Sequence, residues 1–311
     1  EVQSSRVHLF KPAATVRYRG GGKRSVIGFE GAGPQNVGQN PAAGVTVQYY
    51  LKEKPTGAIA IEFIDAAGKV IKSYKSKVDS TTATNKSDSS AKSAETEMRA
   101  PPRRGARREL VLTAVAGGNK FVWDDMRYPD PAPLDSVVTH GTARGPLIMP
   151  GKYKVRLTVD SMVLTQDFEV VKDPRIPITA AEYKEQYDLL IKLGEQTTAL
   201  RNAVRDIRKI RKQLDSSKLD NKTANVLREK LLRIEDELVQ VKAKANQDLT
   251  NYPVKLDTKL ISLANFVESG DVKPPMQHKE KFVELSSKLA TQLKIFDEVK
   301  KEVAAKSKRS F

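Results

Sequence analysis

Hydrophobic and polar residues alternate along much of the first half of the chain, a pattern that predicts β-strands. Residues 45–51 alternate first, and residues 58–64 follow with apolar side chains on both faces. A turn at residues 66–69, which contains Gly68, leads to a return strand at 70–74, so we expect an antiparallel hairpin. Further strand signals lie at residues 110–114, 120–124, 153–159 and 162–170.

Roughly seven short strands with turns at this spacing are typical of an antiparallel β-sandwich of the immunoglobulin or fibronectin type III kind. We expect this sandwich to span residues 43–172. It follows an extended leading segment at residues 1–42, in which glycine-rich stretches have no sustained period. A stretch rich in Ser, Thr, Ala and Lys, with almost nothing to bury, predicts a mobile insertion at residues 79–108.

The hydrophobic period changes at residue 173, and the remaining residues predict helices. Apolar residues recur every seven positions from Leu193 to Leu214, and the next helix alternates four- and three-residue spacings as a coiled-coil seam does. Each helix has one apolar stripe and one charged face, so the helices must pack on one another. We therefore expect an antiparallel bundle of three to four helices over residues 173–311, with helices at residues 179–214, 217–248, from 253 onwards and 276–305.

The same periodicities predict which residues form the structural core. Trp123, the only tryptophan, has two interpretations, a platform for carbohydrate or a core residue. A large aromatic in a strand flanked by Phe121 and Val122 favours the core, because such a side chain dominates the burial of a small domain. The predicted core residues are Trp123, Phe121 and Tyr153 in the sandwich and Leu200, Ile207, Leu231, Leu238 and Leu289 in the bundle.

The composition limits the classes of function. The 311 residues carry a net charge of +16, which favours an acidic partner: nucleic acid, acidic glycan, a membrane surface or an acidic protein. The alternative is that partners in a complex balance this charge. The chain has no cysteine, which excludes thiol catalysis and zinc–cysteine sites. We find no apolar run long enough to span a membrane and no signal peptide. Because the chain starts at Glu1, we expect a processed form or a part of a longer polypeptide.

Two groups of basic residues are candidates for an interaction face. On the first predicted helix, spacings of four, three and four residues place one group on a single face. A docking surface for an acidic partner and a solvated face paired with carboxylates of the second helix are both open interpretations. The second group lies in the insertion, where we favour a solvated loop over an anion-binding arm. The candidates are Arg201, Arg205, Arg208 and Lys212 on the helix and Arg103, Arg104, Arg107 and Arg108 in the insertion.

Patterns of catalytic and metal-binding residues are not found in the sequence. The three histidines lie in separate segments without ligand spacing, so we expect no metal. A glycosidase needs two carboxylates close together in a cleft. Asp124, Asp125 and Asp130 cluster in sequence, but their position in a loop favours the capping of turns. No nucleophile elbow and no phosphate-binding glycine loop occurs. We expect neither a cofactor nor catalysis.

An ordered set of short motifs carries a resemblance to a known family. The chain resembles the region that follows the propeller in bacterial sortilin-like, Asp-box (BNR) repeat proteins, which are often labelled glycosyl hydrolases. Each motif is short, but the set covers nearly the whole chain in the right order. The motifs are Leu9-Phe10-Lys11-Pro12, Asn40-Pro41-Ala42-Ala43-Gly44-Val45, Tyr49-Tyr50-Leu51, residues 64–70, Gly118-Asn119-Lys120-Phe121-Val122-Trp123-Asp124, Arg127-Tyr128-Pro129, Gly145-Pro146, Pro150-Gly151-Lys152-Tyr153 and Asp173-Pro174-Arg175.

The resemblance implies a part of a large exported bacterial protein, located in the periplasm, at the cell surface or outside the cell. Any glycosidase activity would belong to a propeller that these residues do not contain, so the resemblance implies no enzyme here. We expect a non-catalytic structural and protein-interaction module whose partner is another protein, such as a propeller domain or a larger assembly. The alternative is a protein that binds a polyanion, either acidic glycan or nucleic acid, and a remote alternative is a part of a glycoside hydrolase.

Overall fold

The structure is a computed structural model that describes residues 2–18, 44–76, 112–216 and 220–308. The chain divides into two compact units. Among the described residues, the first unit comprises 2–15, 44–76, 112–124 and 152–169. The second unit comprises 16–18, 125–151, 170–216 and 220–308. Both units are therefore assembled from segments that are far apart in sequence.

The described residues form eight strands in two sheets. The first sheet has the order β1-β3-β6 and is antiparallel, with Val45 opposite Trp123 and Leu51 opposite Gly117. The second sheet has the order β2-β8-β7-β4-β5, is mixed and curls into a half-barrel. The strands are β1 (Val7–Leu9), β2 (Thr15–Arg17), β3 (Val45–Leu51), β4 (Ala60–Ile64), β5 (Val70–Lys75), β6 (Gly117–Trp123), β7 (Gly151–Val159) and β8 (Met162–Lys172).

The predicted immunoglobulin- or fibronectin-type sandwich is wrong. The two sheets have three and five strands, and the larger one is mixed rather than antiparallel. The leading segment contributes one strand to each sheet, β1 and β2, while Leu112 makes only an isolated bridge to Ser76 where a strand was expected. Alternation shows which side of a strand is buried, but the choice of its neighbour depends on residues far away in sequence.

Aromatic rings fill the core of the first unit. Phe63 stacks on Trp123 with ring centroids 4.2 Å apart and lies 6.0 Å from Phe168, which in turn stacks on Tyr153 at 5.7 Å. Trp123 is fully buried, and Phe121 and Tyr153 are nearly so. Gly44 crosses close to this cluster with a φ of +109°, and a Cβ there would lie 2.3 Å from the carbonyl oxygen of Trp123. Only glycine fits at that position.

Four α-helices follow in the second unit. A capping box, in which Thr179 and Glu182 each bind the other's backbone N–H, begins the first helix. The second helix ends ten residues before its predicted end at residue 248, because Val239 is buried in an extended conformation. The helices are α1 (Ala180–Asp215), α2 (Asn221–Leu238), α3 (Leu256–Val267) and α4 (Met276–Lys308).

The helices share one apolar cluster and form three columns. α2 lies along the C-terminal half of α1, where Arg208 pairs with Glu235. α3 lies along the preceding part of α1, where Arg201 pairs with Asp257, so α2 and α3 follow one another in a single column. α4 packs against α1, α2 and α3. The expected bundle residues Leu200, Ile207, Leu231, Leu238 and Leu289 are all fully buried in this cluster.

Among the described residues, no helix is long and apolar enough to cross a membrane.

Candidate functional site

The arginines of the candidate face on α1 hold an irregular segment of the same unit. This segment, residues 128–135, contains three prolines, and we call it the proline segment. Because proline has no N–H, its neighbours leave carbonyl groups without a regular partner. The arginines donate to these carbonyls, Arg201 to Ala132 at 3.0 Å, Arg205 to Pro133 at 3.1 Å and Arg208 to Asp135 at 2.8 Å.

Other groups on α1 complete the contact with the proline segment. Thr198 accepts a hydrogen bond from the amide of Ala132 at 3.2 Å. The ring of Tyr128 lies 5.2 Å from that of Tyr187. A Cβ at Gly194 would lie 3.6 Å from the Pro131 side chain, which is ordinary contact distance, so the prolines pack directly on the helix. One face of α1 is thus occupied by the chain's own backbone.

Two of these arginines, Arg201 and Arg208, also pair with carboxylates. Arg201 is nearly buried and forms two hydrogen bonds with Asp257 of α3. Glu235 of α2 receives both Arg208 and Arg211 at 2.7 Å. Lys212, the fourth member of the predicted face, is exposed and has no ion pair among the described residues. The structure therefore brings three of the four face residues into internal contacts and leaves Lys212 in solvent. Arg103, Arg104, Arg107 and Arg108 lie outside the described residues.

Asp130, the last residue of the acidic cluster at 124–130, links two loops. Asp130 accepts a hydrogen bond from the amide of Gly145 at 2.9 Å. Gly145 fits tightly here, since a Cβ would lie 2.1 Å from the carbonyl oxygen of Tyr128. Arg127 donates to the Gly145 carbonyl and pairs with Glu268 at the end of α3. These contacts fix two loops against α3.

A buried polar cluster, which sequence analysis did not identify, surrounds Asp271. Arg17 forms an ion pair with Asp271 at 2.6 Å, and both side chains are almost completely buried. Tyr183 donates to the other carboxylate oxygen at 3.0 Å, and the Arg17 guanidinium lies 4.7 Å from the Tyr183 ring. Burial, followed by the charge of Asp271, raises the pKa of Tyr183. Gln186 donates to the carbonyls of Val267 and Gly270, so this cluster anchors the loop between α3 and α4.

The three histidines occupy different segments of the described chain. His8 lies in β1 with its ring 4.7 Å from that of Phe10, and His278 lies in the first turn of α4. Within the described ranges, no group of three or more His, Asp or Glu side chains is placed to hold a metal ion.

A shallow, open groove of about 820 Å³ lies in the first unit. It is lined by residues 152–154 of β7 and 167–169 of β8, by residues 11–14 and by the turn at Asp65 and Ala66. Its charged lining residues are Lys11, Asp65, Lys152, Lys154, Asp167 and Glu169. Sequence analysis assigned no binding role to these residues, although four of them occupy alternating polar positions of β7 and β8.

No protein-family model, curated protein or solved structure matches the chain.

Proposed function

We propose that this chain is a non-catalytic structural and protein-interaction module of a large exported bacterial protein or assembly. The observation that carries the proposal is the contact between α1 and the proline segment. Three arginine side chains there donate to carbonyls of the chain itself. Hydrogen bonds from a charged donor fix the path of an irregular segment more firmly than neutral ones. Such a segment has a defined surface, which suits a module that presents a fixed face to another protein.

Buried ion pairs support the same proposal. Arg201 with Asp257 and Arg17 with Asp271 are both nearly inaccessible to solvent. A buried pair adds little net stability but penalises arrangements that separate the two charges. Both pairs join segments that are distant in sequence, so they favour one arrangement of the second unit over others. A uniquely arranged scaffold is what a structural module requires.

Export and a partner protein are the parts of the proposal that rest on family resemblance. Their support is the ordered set of motifs from Leu9-Phe10-Lys11-Pro12 to Asp173-Pro174-Arg175. In the resembled proteins, a propeller precedes this region, so a propeller domain is the first partner to look for. Glycosidase chemistry would then belong to the partner.

The second candidate function is polyanion binding, and the net charge of +16 favours it. Polyanion binding by lysine and arginine releases counterions, so its affinity falls steeply with salt concentration. Three arginines of the α1 face already bind carbonyls or carboxylates. A polyanion would therefore have to use other basic residues, of which Lys212 is one.

One experiment separates the two candidates. The protein is isolated gently from its source and analysed by size-exclusion chromatography with mass spectrometry of each peak. The buffer contains 0.5 M salt, in which the Debye length is about 4 Å and exposed charges are screened. We expect a stoichiometric protein partner to co-elute. Elution as a free monomer that shifts only with heparin or DNA at low salt contradicts the module and supports polyanion binding.

A further inference from the structure

The groove of the first unit has two rows of opposite charge. Lys152 and Lys154 are two residues apart on β7, and Asp167 and Glu169 are two residues apart on β8. Side chains at such spacing lie on the same face of a strand, and all four are exposed. β7 and β8 are neighbours in the sheet. A basic row therefore lies beside an acidic row, about 4.8 Å away at the backbone.

These four side chains have no ion-pair or hydrogen-bond partner anywhere in the described ranges. The neighbouring position on the same strand is different, because Arg156 of β7 pairs with Glu62 of β4 at 2.7 Å. Charges of both signs thus lie on adjacent strands without forming a direct ion pair. They remain available to an external ligand.

The pattern of charge selects the class of ligand. A polyanion attracted by Lys152 and Lys154 would be repelled by Asp167 and Glu169 on the next strand. A polycation attracted by these carboxylates would be repelled by the two lysines. Like charges placed side by side at an interface disfavour binding. The complementary ligand carries both acidic and basic groups a few ångströms apart. A peptide segment with side chains of both signs meets this requirement.

The shape of the groove favours an extended peptide. The volume of about 820 Å³ lies within the range of ligand-binding clefts. The groove is lined by β7 and β8, by residues 11–14 and by Asp65, and it is open to solvent. Tyr153 and Phe168 are buried on the opposite side of these strands from the four charged side chains. An open groove of this kind accepts a chain that continues beyond it, as the peptide-binding grooves of interaction domains do.

We propose that this groove binds an extended peptide segment of a partner protein in which acidic side chains face Lys152 and Lys154 and basic side chains face Asp167 and Glu169. The inference rests on the proposed function and names the surface through which the module meets its partner.

The test is a selection from a random library of twelve-residue peptides displayed on phage, carried out on the purified chain. It is repeated on the variant Lys152→Glu/Lys154→Glu and on the control Lys294→Glu/Lys301→Glu. The control changes the net charge by the same amount at exposed lysines of α4. We expect enriched peptides to carry both acidic and basic residues. A synthetic peptide of the enriched sequence should bind the groove variant at least tenfold more weakly and the control unchanged.

Three results overturn the inference. The first is that the enriched peptides are uniformly acidic. The second is that the original chain enriches no peptide beyond those that the groove variant enriches. The third is that the control variant loses as much binding as the groove variant. Circular dichroism establishes that each variant is folded, and Lys152→Gln/Lys154→Gln replaces the charge reversal if that variant is not. The selection uses no natural partner, so it is independent of the isolation experiment. A co-purifying partner that still binds the groove variant overturns the groove and leaves the module intact.

Discussion

Arg201 of α1 forms a bidentate ion pair with Asp257 in the first turn of α3. Its Nε donates to one carboxylate oxygen at 2.8 Å, and its Nη2 donates to the other at 3.1 Å. The Asp257 side chain is 1% exposed and that of Arg201 is 9% exposed. Its third nitrogen reaches the carbonyl of Ala132. A single buried guanidinium therefore connects two helices and the proline segment.

Removing the carboxylate should destabilise the second unit strongly. Asp257→Ala leaves the Arg201 charge buried without its counter-ion, and such a change typically costs about 3–5 kcal/mol. We expect a loss of this size in the free energy of unfolding, measured by urea titration with circular dichroism at 222 nm, where the helices dominate. Asp297→Ala is the matched control, because Asp297 pairs with Lys300 but is 60% exposed. It should leave the free energy of unfolding nearly unchanged, because exposed ion pairs contribute little.

The proline segment should loosen when one arginine of α1 is removed. Arg205 is the cleanest choice, since its described hydrogen bond goes only to the carbonyl of Pro133. The hydrogen bond is exposed, so its loss should cost only about 1 kcal/mol, which corresponds to roughly fivefold faster exchange of the segment. The rate of hydrogen exchange in peptides covering residues 128–137, compared between the original chain and Arg205→Ala, measures this loosening. Lys212→Ala, on the same face but in solvent, should leave the exchange unchanged; equal acceleration in both variants contradicts the assignment.

Removing the hydroxyl of Tyr183 should destabilise the buried cluster around Asp271 less than the loss of a carboxylate destabilises the Arg201 pair. Tyr183→Phe removes the hydroxyl that donates to Asp271 but keeps the ring beneath Arg17. We expect a loss of about 1.5–3 kcal/mol, the usual range for a hydrogen bond to a charged group. Urea unfolding followed by circular dichroism measures the loss. Stability equal to that of the original chain would show that the hydroxyl does not support the carboxylate.

The helices were predictable from sequence, while the sheets were not. α1 begins and ends within one residue of the expected 179–214, because its apolar stripe and its Thr179 cap are local signals. α2 stops early at Val239, where burial in an extended conformation overrides helical spacing. Sheet order depends on pairings such as β1 with β3, which are separated by residues 10–44, and no local pattern encodes that choice.

The candidate site was predictable only in part, for a similar reason. The spacing of Arg201, Arg205 and Arg208 places them on one face of α1, but the carbonyls that they bind lie 69 to 73 residues away in sequence. Backbone carbonyls have no sequence signature, so charge alone suggested an acidic partner. Proline at alternate positions in residues 129–133 was the available signal, since such a segment cannot bond to itself.

Trp123 should report on the first unit. It is fully buried against Phe63, and the chain has no other tryptophan. Trp123→Ala removes a large side chain from a packed core, which typically costs about 3–5 kcal/mol. Urea unfolding of this variant by circular dichroism should show the loss, and the fluorescence of the original chain should shift to longer wavelength on unfolding. An emission maximum that is already at the position of the unfolded chain contradicts burial of the ring.

The carboxylate of Asp173 should make the free energy of unfolding depend on pH. Arg175 binds its carboxylate through Nε at 2.9 Å and through its backbone amide at 3.0 Å, and this lowers the pKa of Asp173 from 3.8 to about 2. A carboxylate with a lower pKa in the folded state stabilises the fold above its unfolded pKa, and this contribution disappears as pH falls through the folded value. The stability difference between the original chain and Asp173→Asn should therefore be constant above about pH 5 and vanish between about pH 4 and 2. Urea midpoints at each pH measure it, with Asp65→Asn as a control carboxylate; a difference that stays constant down to pH 2 contradicts the role of Asp173.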